Sequence, residues 1–269
     1  MGRALEHSIE QAVMFSRLGE LQAWEDKCDR VYFGHEFCQR LIPSGESIRQ
    51  AIDHCAEKGW QFSLITPFVT SAGIAVVQER IAALLEHAPD GLEIVVNDFG
   101  VLNWLHREHP SVTIALGRLL TKQKRGPRIM RIADRLPRNA RAHFQRSNID
   151  AAHLTAFLTE MGVQRIELDN ILQGIQRDSG MQASLYYPYA YVSTTRLCLL
   201  MNGEHPNKNL RSIGTCHREC RRYDVTLTHA DMPVPLKLHG NTQFFRNDKL
   251  PKDLAALNIT RLVYEPHLP

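Results

Sequence analysis

Short apolar runs recur along this chain, and several of the stretches between them place apolar residues three or four apart. The runs are VYFG at 31–34, QFSLITP at 61–67, LEIVV at 92–96, VTIAL at 112–116, RIEL at 165–168, ASLYYPYAYV at 183–192, VPLKLHG at 234–240 and RLVYEP at 261–266. SGESIRQAIDHCAEKG and VVQERIAALLEHA have the period of amphipathic helices. Strands alternating with helices predict an α/β fold with a parallel sheet and crossover helices, here a TIM-barrel-like (β/α) barrel. No repeat or low-complexity tract interrupts it, so residues 1–269 are expected to form a single domain. The first thirty residues look helical, with no clear strand before Val31. One expectation is therefore a barrel that is incomplete or open at its N-terminal strand, with an edge for a partner to cover.

Several runs stop in a polar pair or a glycine: Asn97-Asp98, Gly117-Arg118, Asp169-Asn170 and Gly240-Asn241. In barrels and open α/β sheets the carboxyl ends of strands carry the chemistry. The same residues also cap helices and make turns, so each pair has a structural reading beside the functional one.

Composition narrows the class. No apolar run approaches the roughly 18 residues of a membrane span, and Glu6 and Glu10 interrupt what would be the apolar part of a signal peptide. A cytoplasmic protein is expected. The formal net charge is only +3, yet residues 122–146 hold nine basic residues against one acid, Asp134. That segment is either a solvated Arg-rich helix or a site for an anion: a carboxylated substrate, an acidic partner or, less favoured without interleaved aromatics, RNA.

Six cysteines in a reducing compartment point to metal or catalysis rather than disulfides. Three of them lie in LCLLMNGEHPNKNLRSIGTCHREC, as C-x(17)-C-x(3)-C. Thiolates suit zinc and iron–sulfur clusters alike. Structural zinc favours tighter C-x(2)-C knuckles, and the close triplet of radical-SAM enzymes is missing. HEFCQ at 35–39 lacks the second histidine of a zincin, and no G-x-S-x-G occurs.

VYFGHEFCQR at 31–40, LEIVVNDFGVLNWL at 92–105, and YPYAYVSTTRLC followed by GTCHREC together resemble the collagenase-like peptidase family U-32. Within it, they resemble most the oxygen-independent hydroxylase subunits of ubiquinone biosynthesis. LKLHGNTQFFRN and RLVYEPHLP look similar but are less diagnostic. The resemblance spans nearly everything from residue 31. It implies a TIM-barrel-like fold and a 4Fe–4S cluster on Cys38, Cys198, Cys216 and Cys220, with Cys28 and Cys55 outside the pattern. It also implies hydroxylation, without dioxygen, of a ubiquinone precursor or an RNA base, with prephenate as the hydroxyl donor. The uncovered edge of an incomplete barrel predicts a homologous partner subunit or a homodimer. A non-catalytic cluster-bearing subunit and, from the family name, a peptidase are the alternatives.

Within that reading Asn97 and Asp98 are the candidate catalytic residues, reaching from a strand end into the pocket. A carboxylated donor needs cations, and guanidinium pairs with carboxylate bidentately. Arg118, directly after a strand end, Arg196, two residues before a proposed ligand, and Arg128, in the basic segment, are the candidate substrate-binding residues. The structural alternative makes Asp98 a helix cap and the arginines partners in ion pairs.

Overall fold

The computed structural model describes residues 9–202 and 215–269. Eight parallel strands close into a barrel: β1 (Glu10–Phe15), β2 (Arg30–Gly34), β3 (Gln61–Thr66), β4 (Glu93–Val96), β5 (Thr113–Leu116), β6 (Val163–Asp169), β7 (Gln182–Tyr187) and β12 (Ile259–Tyr264). The order round the barrel is β1-β12-β7-β6-β5-β4-β3-β2. Thus the expected TIM-barrel-like fold is present, and it is complete.

Closure corrects the reading of the first thirty residues. EQAVMF is a strand that pairs with β2 from Ala12 to Phe15 and with β12 from Glu10 to Val13. Only Leu18–Gln22 (α1) is α-helical in the described part of that segment, and residues 1–8 lie outside the described set. The acids flanking β1 hid it: Glu10 turns into the barrel mouth, where Arg30 and Arg261 meet it. With the barrel closed, the open edge that argued for a covering partner is gone.

Crossover helices α2 (Gly45–Lys58), α3 (Ser71–Leu85), α4 (Phe99–Glu108), α5 (Arg138–Gln145) and α6 (Ala152–Glu160) follow β2 to β5. Their starts are written locally. Ser44 accepts from Ser47 N at 3.2 Å, Thr70 from Gly73 N at 3.3 Å and Asp98 from Gly100 N at 2.8 Å. Gly59 ends α2 at φ 70°, the left-handed conformation that glycine adopts without a Cβ penalty.

Alternation along each strand sorts the apolar residues into two cores. Val13, Phe15, Val31, Phe33, Leu64, Ile94 and Leu116 face the helices, while Ala12, Met14, Tyr32, Ile65, Val95, Ala115, Tyr186 and Val263 fill the interior. Interior packing of this kind makes the barrel a solid core rather than a pore.

Among the described residues no α-helix follows β7. The run ASLYYPYAYV instead breaks at a cis Tyr187–Pro188 bond into β7 and β8 (Tyr189–Thr194). β8 joins β9 (Val225–Leu227), β10 (Leu236–His239) and β11 (Thr242–Arg246) in a separate antiparallel sheet of order β8-β11-β10-β9. The run at 234–240 therefore belongs to this inserted sheet and not to the barrel. The insertion hangs from the carboxyl end of β7, which puts its hairpins over the C-terminal mouth.

Candidate functional site

The loop after β2 carries His35, Glu36, Phe37 and Cys38. His35 is buried, and its Nδ1 accepts from the backbone N–H of Phe37 at 3.1 Å and of Cys38 at 3.2 Å. Burial, aided by the nearby charges of His239 and Arg221, pushes His35 down to about 3, so it is neutral and keeps that acceptor near neutral pH. From the other side Asn241, in the turn between β10 and β11, donates to Phe37 O at 2.7 Å and Thr195 O at 2.6 Å. Two polar side chains thus fix Cys38 against the inserted sheet.

Into the same cavity, of about 160 Å³, project Cys38, Cys198, Cys216 and Cys220, among residues that include His35, Phe68, Arg196, Glu219, His239 and Asn241. These four come from three separate stretches of chain. Each lies within electrostatic reach of the others: Cys220 feels Cys198, Cys38 and Cys216, and Cys198 feels Cys38 and Cys216. Burial first, and then this mutual repulsion, raises the thiols of Cys38 and Cys198 and brings Cys220 to about 11. A cation among them would reverse the effect, because it favours thiolate. Cys216 Sγ also accepts from Arg218 N at 3.4 Å, and the Glu219 carboxylate accepts from His217 N at 3.2 Å, which shapes the C-x(3)-C turn.

Around one zinc, with bonds near 2.3 Å, four sulfurs stand about 3.8 Å apart. Among the described residues no three His, Cys, Asp or Glu side chains are grouped to hold one metal ion.

Cys28 and Cys55 lie elsewhere. They pack at the apolar layer between strands and helices, and burial above all pushes both up to about 12, aided by Asp29 at Cys28 and by Cys28 at Cys55. Cys28 precedes β2 and Cys55 is near the end of α2, so both belong to the opposite end of the barrel.

The other candidates fall in different places. Arg196 lines the cavity; its guanidinium sits 5.0 Å from the Phe68 ring centre and donates to Val69 O at 2.9 Å. Asn97 is buried, donates to Thr66 O at 3.0 Å and accepts from Leu119 N at 3.1 Å, and it presses on Gly117 so closely that a Cβ there would collide with it. Asp98 caps α4 and accepts from Val69 N at 3.1 Å. Neither lines the cysteine cavity. Arg128 is exposed, pairs with Asp231 at 3.1 Å, and is not among the lining residues either.

Arg118 lies below the cavity, fully buried. It binds Glu36, Asp169 at 3.0 Å and Glu265 at 2.6 Å, and stacks 3.8 Å from the centre of the Tyr186 ring. Arg125 makes a second bond to Asp169 and lies 4.0 Å from the Tyr191 ring centre. Two cations thus hold three carboxylates. The arrangement leaves Glu265 Oε2 without a partner, and burial pushes Glu265 up to about 8 against the pull of Arg118. His35, Glu36, Asn241 and Glu265 were not candidates on sequence grounds. HGN after LKL was the visible signal for Asn241, but nothing marked Glu265 beyond its place after a strand.

No protein-family model matches the chain, and no curated protein matches it. Among solved structures it is similar to the U32 peptidase Mk0906, with 9% identity, TM-score 0.49, and coverage of 100% of this chain and 97% of that one. A glycoside hydrolase family 18 N-acetylglucosaminidase from Paenibacillus barengoltzii is similar at 10% identity, TM-score 0.36, covering 96% and 94%. YKL-39 is similar at 10% identity, TM-score 0.39, covering 95% and 91%. Likenesses this slight leave the architecture to be read from the strand order itself. No helix among the described residues is long and apolar enough to cross a membrane.

Proposed function

We propose that this chain is an iron–sulfur protein, holding a 4Fe–4S cluster on Cys38, Cys198, Cys216 and Cys220. One observation carries the reading: the four thiols line one cavity over the C-terminal mouth, the face on which barrels place their chemistry, while the two other cysteines do not. Bound there, such a cluster would supply one-electron redox chemistry. His35 and Asn241 hold the Cys38 loop in place, and Arg196, at the cavity wall, offers a guanidinium to a carboxylate. With the resemblance to the U-32 hydroxylase subunits, the reading extends to an oxygen-independent hydroxylase, or a subunit of one. It would act on an aromatic or quinone precursor, or an RNA base, with a prephenate-like donor. A homologous partner subunit belongs to the same proposal and rests on the resemblance alone.

The test is anaerobic purification followed by iron, sulfide and zinc assays. Brown protein with about four irons and four sulfides per chain is expected. Colourless protein with one tightly held zinc would overturn the reading.

A further inference from the structure

We propose that a second cleft, on the flank of the cysteine cavity and lined by Arg17, Arg80, Arg218 and Arg221, binds a small doubly charged oxyanion, phosphate-bearing or dicarboxylate. The cleft measures about 500 Å³ and also presents Ser16, Ser44 and Ser47. Its four arginines come from the turn after β1, from α3, and from the segment following Cys216. Among the described residues only two carboxylates answer them: Glu20 meets Arg17 at 3.5 Å, and Glu79 meets Arg80 at 2.7 Å. Neither acid lines the cleft. Among the described residues Arg218 and Arg221 form no ion pair.

Arg80 supplies an independent sign of a missing anion. Its Nε is buried without a hydrogen-bond partner. Its Nη1 lies 3.8 Å from where a Cβ on Gly45 would stand, at the first residue of the fourteen-residue helix α2. A helix N-terminus is positive, and Arg80 Nη1, although it donates to Glu79 at 2.7 Å, adds a cationic side chain beside it. The acid in that first turn, Glu46, does not line the cleft and accepts from Gln50 at 3.2 Å. An oxyanion in the cleft would offset this excess charge and give Arg80 Nε an acceptor, and hydroxyls of the three serines could complete its shell. The volume is that of a small-molecule site and not of a macromolecular groove. A narrow gap lined by Arg17, His35, Cys220, Arg221 and His239 adjoins both the cleft and the cysteine cavity.

The test is calorimetric titration of the full chain at fixed ionic strength in chloride buffer, with inorganic phosphate, pyrophosphate and malonate as separate arms. Saturable one-to-one binding of at least one anion is expected. The Arg17→Ala/Arg221→Ala variant should weaken it by about tenfold or more, while Arg131→Ala/Arg246→Ala, a pair of surface arginines outside the cleft, should leave it unchanged. Saturation by the phosphates alone identifies a phosphate-bearing ligand, and saturation by malonate alone a dicarboxylate. If the alanine variant loses its native circular dichroism, Arg80→Gln is read instead, with the same loss expected. No saturation in any arm, or binding indifferent to the cleft substitutions, overturns the proposal. Iron content plays no part in this readout, so it stands or falls apart from the cluster.

Discussion

At the N-terminal mouth of the barrel Glu10 lies between Arg30 at 2.8 Å and Arg261 at 2.6 Å. Glu93 lies beside Arg261 at 2.7 Å, with Arg165 at 3.8 Å and the Ser63 hydroxyl at 3.0 Å. Glu10 and Glu93 thus have two cations each and every arginine belongs to a barrel strand, while Glu167, beside Glu93, pairs with none among the described residues and leaves its Oε2 without a partner. At the C-terminal mouth Glu36, Asp169 and Glu265 share Arg118, and only Asp169 reaches a second cation. The thiols divide the same way: two in an apolar layer near the first mouth, four round a cavity over the second. Three arginines for three acids at one end is what stability asks of a barrel. Three acids sharing two arginines, beneath a cavity of thiols, is what a functional mouth looks like.

The largest expected effect breaks or confirms the division of thiols. Cys38→Ala should abolish iron binding in anaerobically purified protein, and Cys198→Ala, Cys216→Ala and Cys220→Ala should do the same. Cys28→Ala and Cys55→Ala should keep full iron content, although Cys55→Ala will lower stability slightly because it empties a buried site. Full iron in Cys38→Ala alongside loss in Cys55→Ala would reverse the assignment of the two ends.

Next is the removal of each hub arginine. Arg118→Met strands Glu36 and Glu265 without a cation, and breaking a buried network in this way costs about 3–5 kcal/mol. Arg261→Met leaves Glu10 with Arg30 and Glu93 with Arg165, so its cost should be clearly smaller. Urea midpoints measured at unchanged m-value check the ranking. Equal losses would show that the two mouths do not differ in the way the pairing suggests.

How much of this could be read from the chain follows from where each signal is stored. Strands β2 to β6 announced themselves because their buried runs are continuous, as both faces of a parallel barrel strand require. β1 did not, because Glu10 and Gln11 open it and its polar start is explained only by Arg30 and Arg261, distant in sequence. The stretch 183–192 read as one strand because periodicity carries no information about which sheet a strand joins. Cysteine spacing singled out Cys198, Cys216 and Cys220, and the family resemblance added Cys38; all four line the cavity. Spacing could not place Arg118, which follows a strand end as a binding residue should, yet is saturated by three acids from three other strand ends. Burial and partners of that kind are products of closure and have no local signature.

A third test uses pH to separate the mouths. Glu265 has its carboxyl raised from 4.5 to about 8, first by burial and then by repulsion from Glu36 and Asp169 that Arg118 does not cancel. The unfolded chain therefore releases this proton first as pH rises. The stability contributed by Glu265 is fully present below pH 4.5 and is lost as pH climbs towards 8. Glu265→Gln keeps an acceptor for Arg118 and cannot ionise. It should be more stable than the parent at pH 8 by on the order of 2–4 kcal/mol, and close to it at pH 4.5. Thermal midpoints across that range check it. Glu167, deeper in the barrel and also raised to about 8 by burial and the charge of Glu93, should respond in the same direction. A Glu265→Gln curve parallel to the parent's would show that Glu265 is ionised throughout and the upper network balanced after all.

The smallest effect concerns Asp98, where the structural and chemical readings of the C-terminal mouth meet. Its Oδ1 accepts from Gly100 N at 2.8 Å and its Oδ2 from Val69 N at 3.1 Å, so one carboxylate caps α4 and ties it to the loop before α3. Replacing a cap of this kind with alanine costs about 1–2 kcal/mol, and asparagine, which keeps an oxygen for Gly100, should recover most of it. If capping is all that Asp98 does, Asp98→Asn will fold, hold its iron and turn over like the parent. If the residue also reaches the reacting atoms, Asp98→Asn will keep its stability and iron yet lose turnover, because an amide can neither take up a proton nor present a charge. Stability, iron content and turnover measured on Asp98→Ala and Asp98→Asn separate the cap from the chemistry. The observed bonds account for both carboxylate oxygens as structure, so the expected result is a small stability loss in the alanine variant and no change in turnover for asparagine.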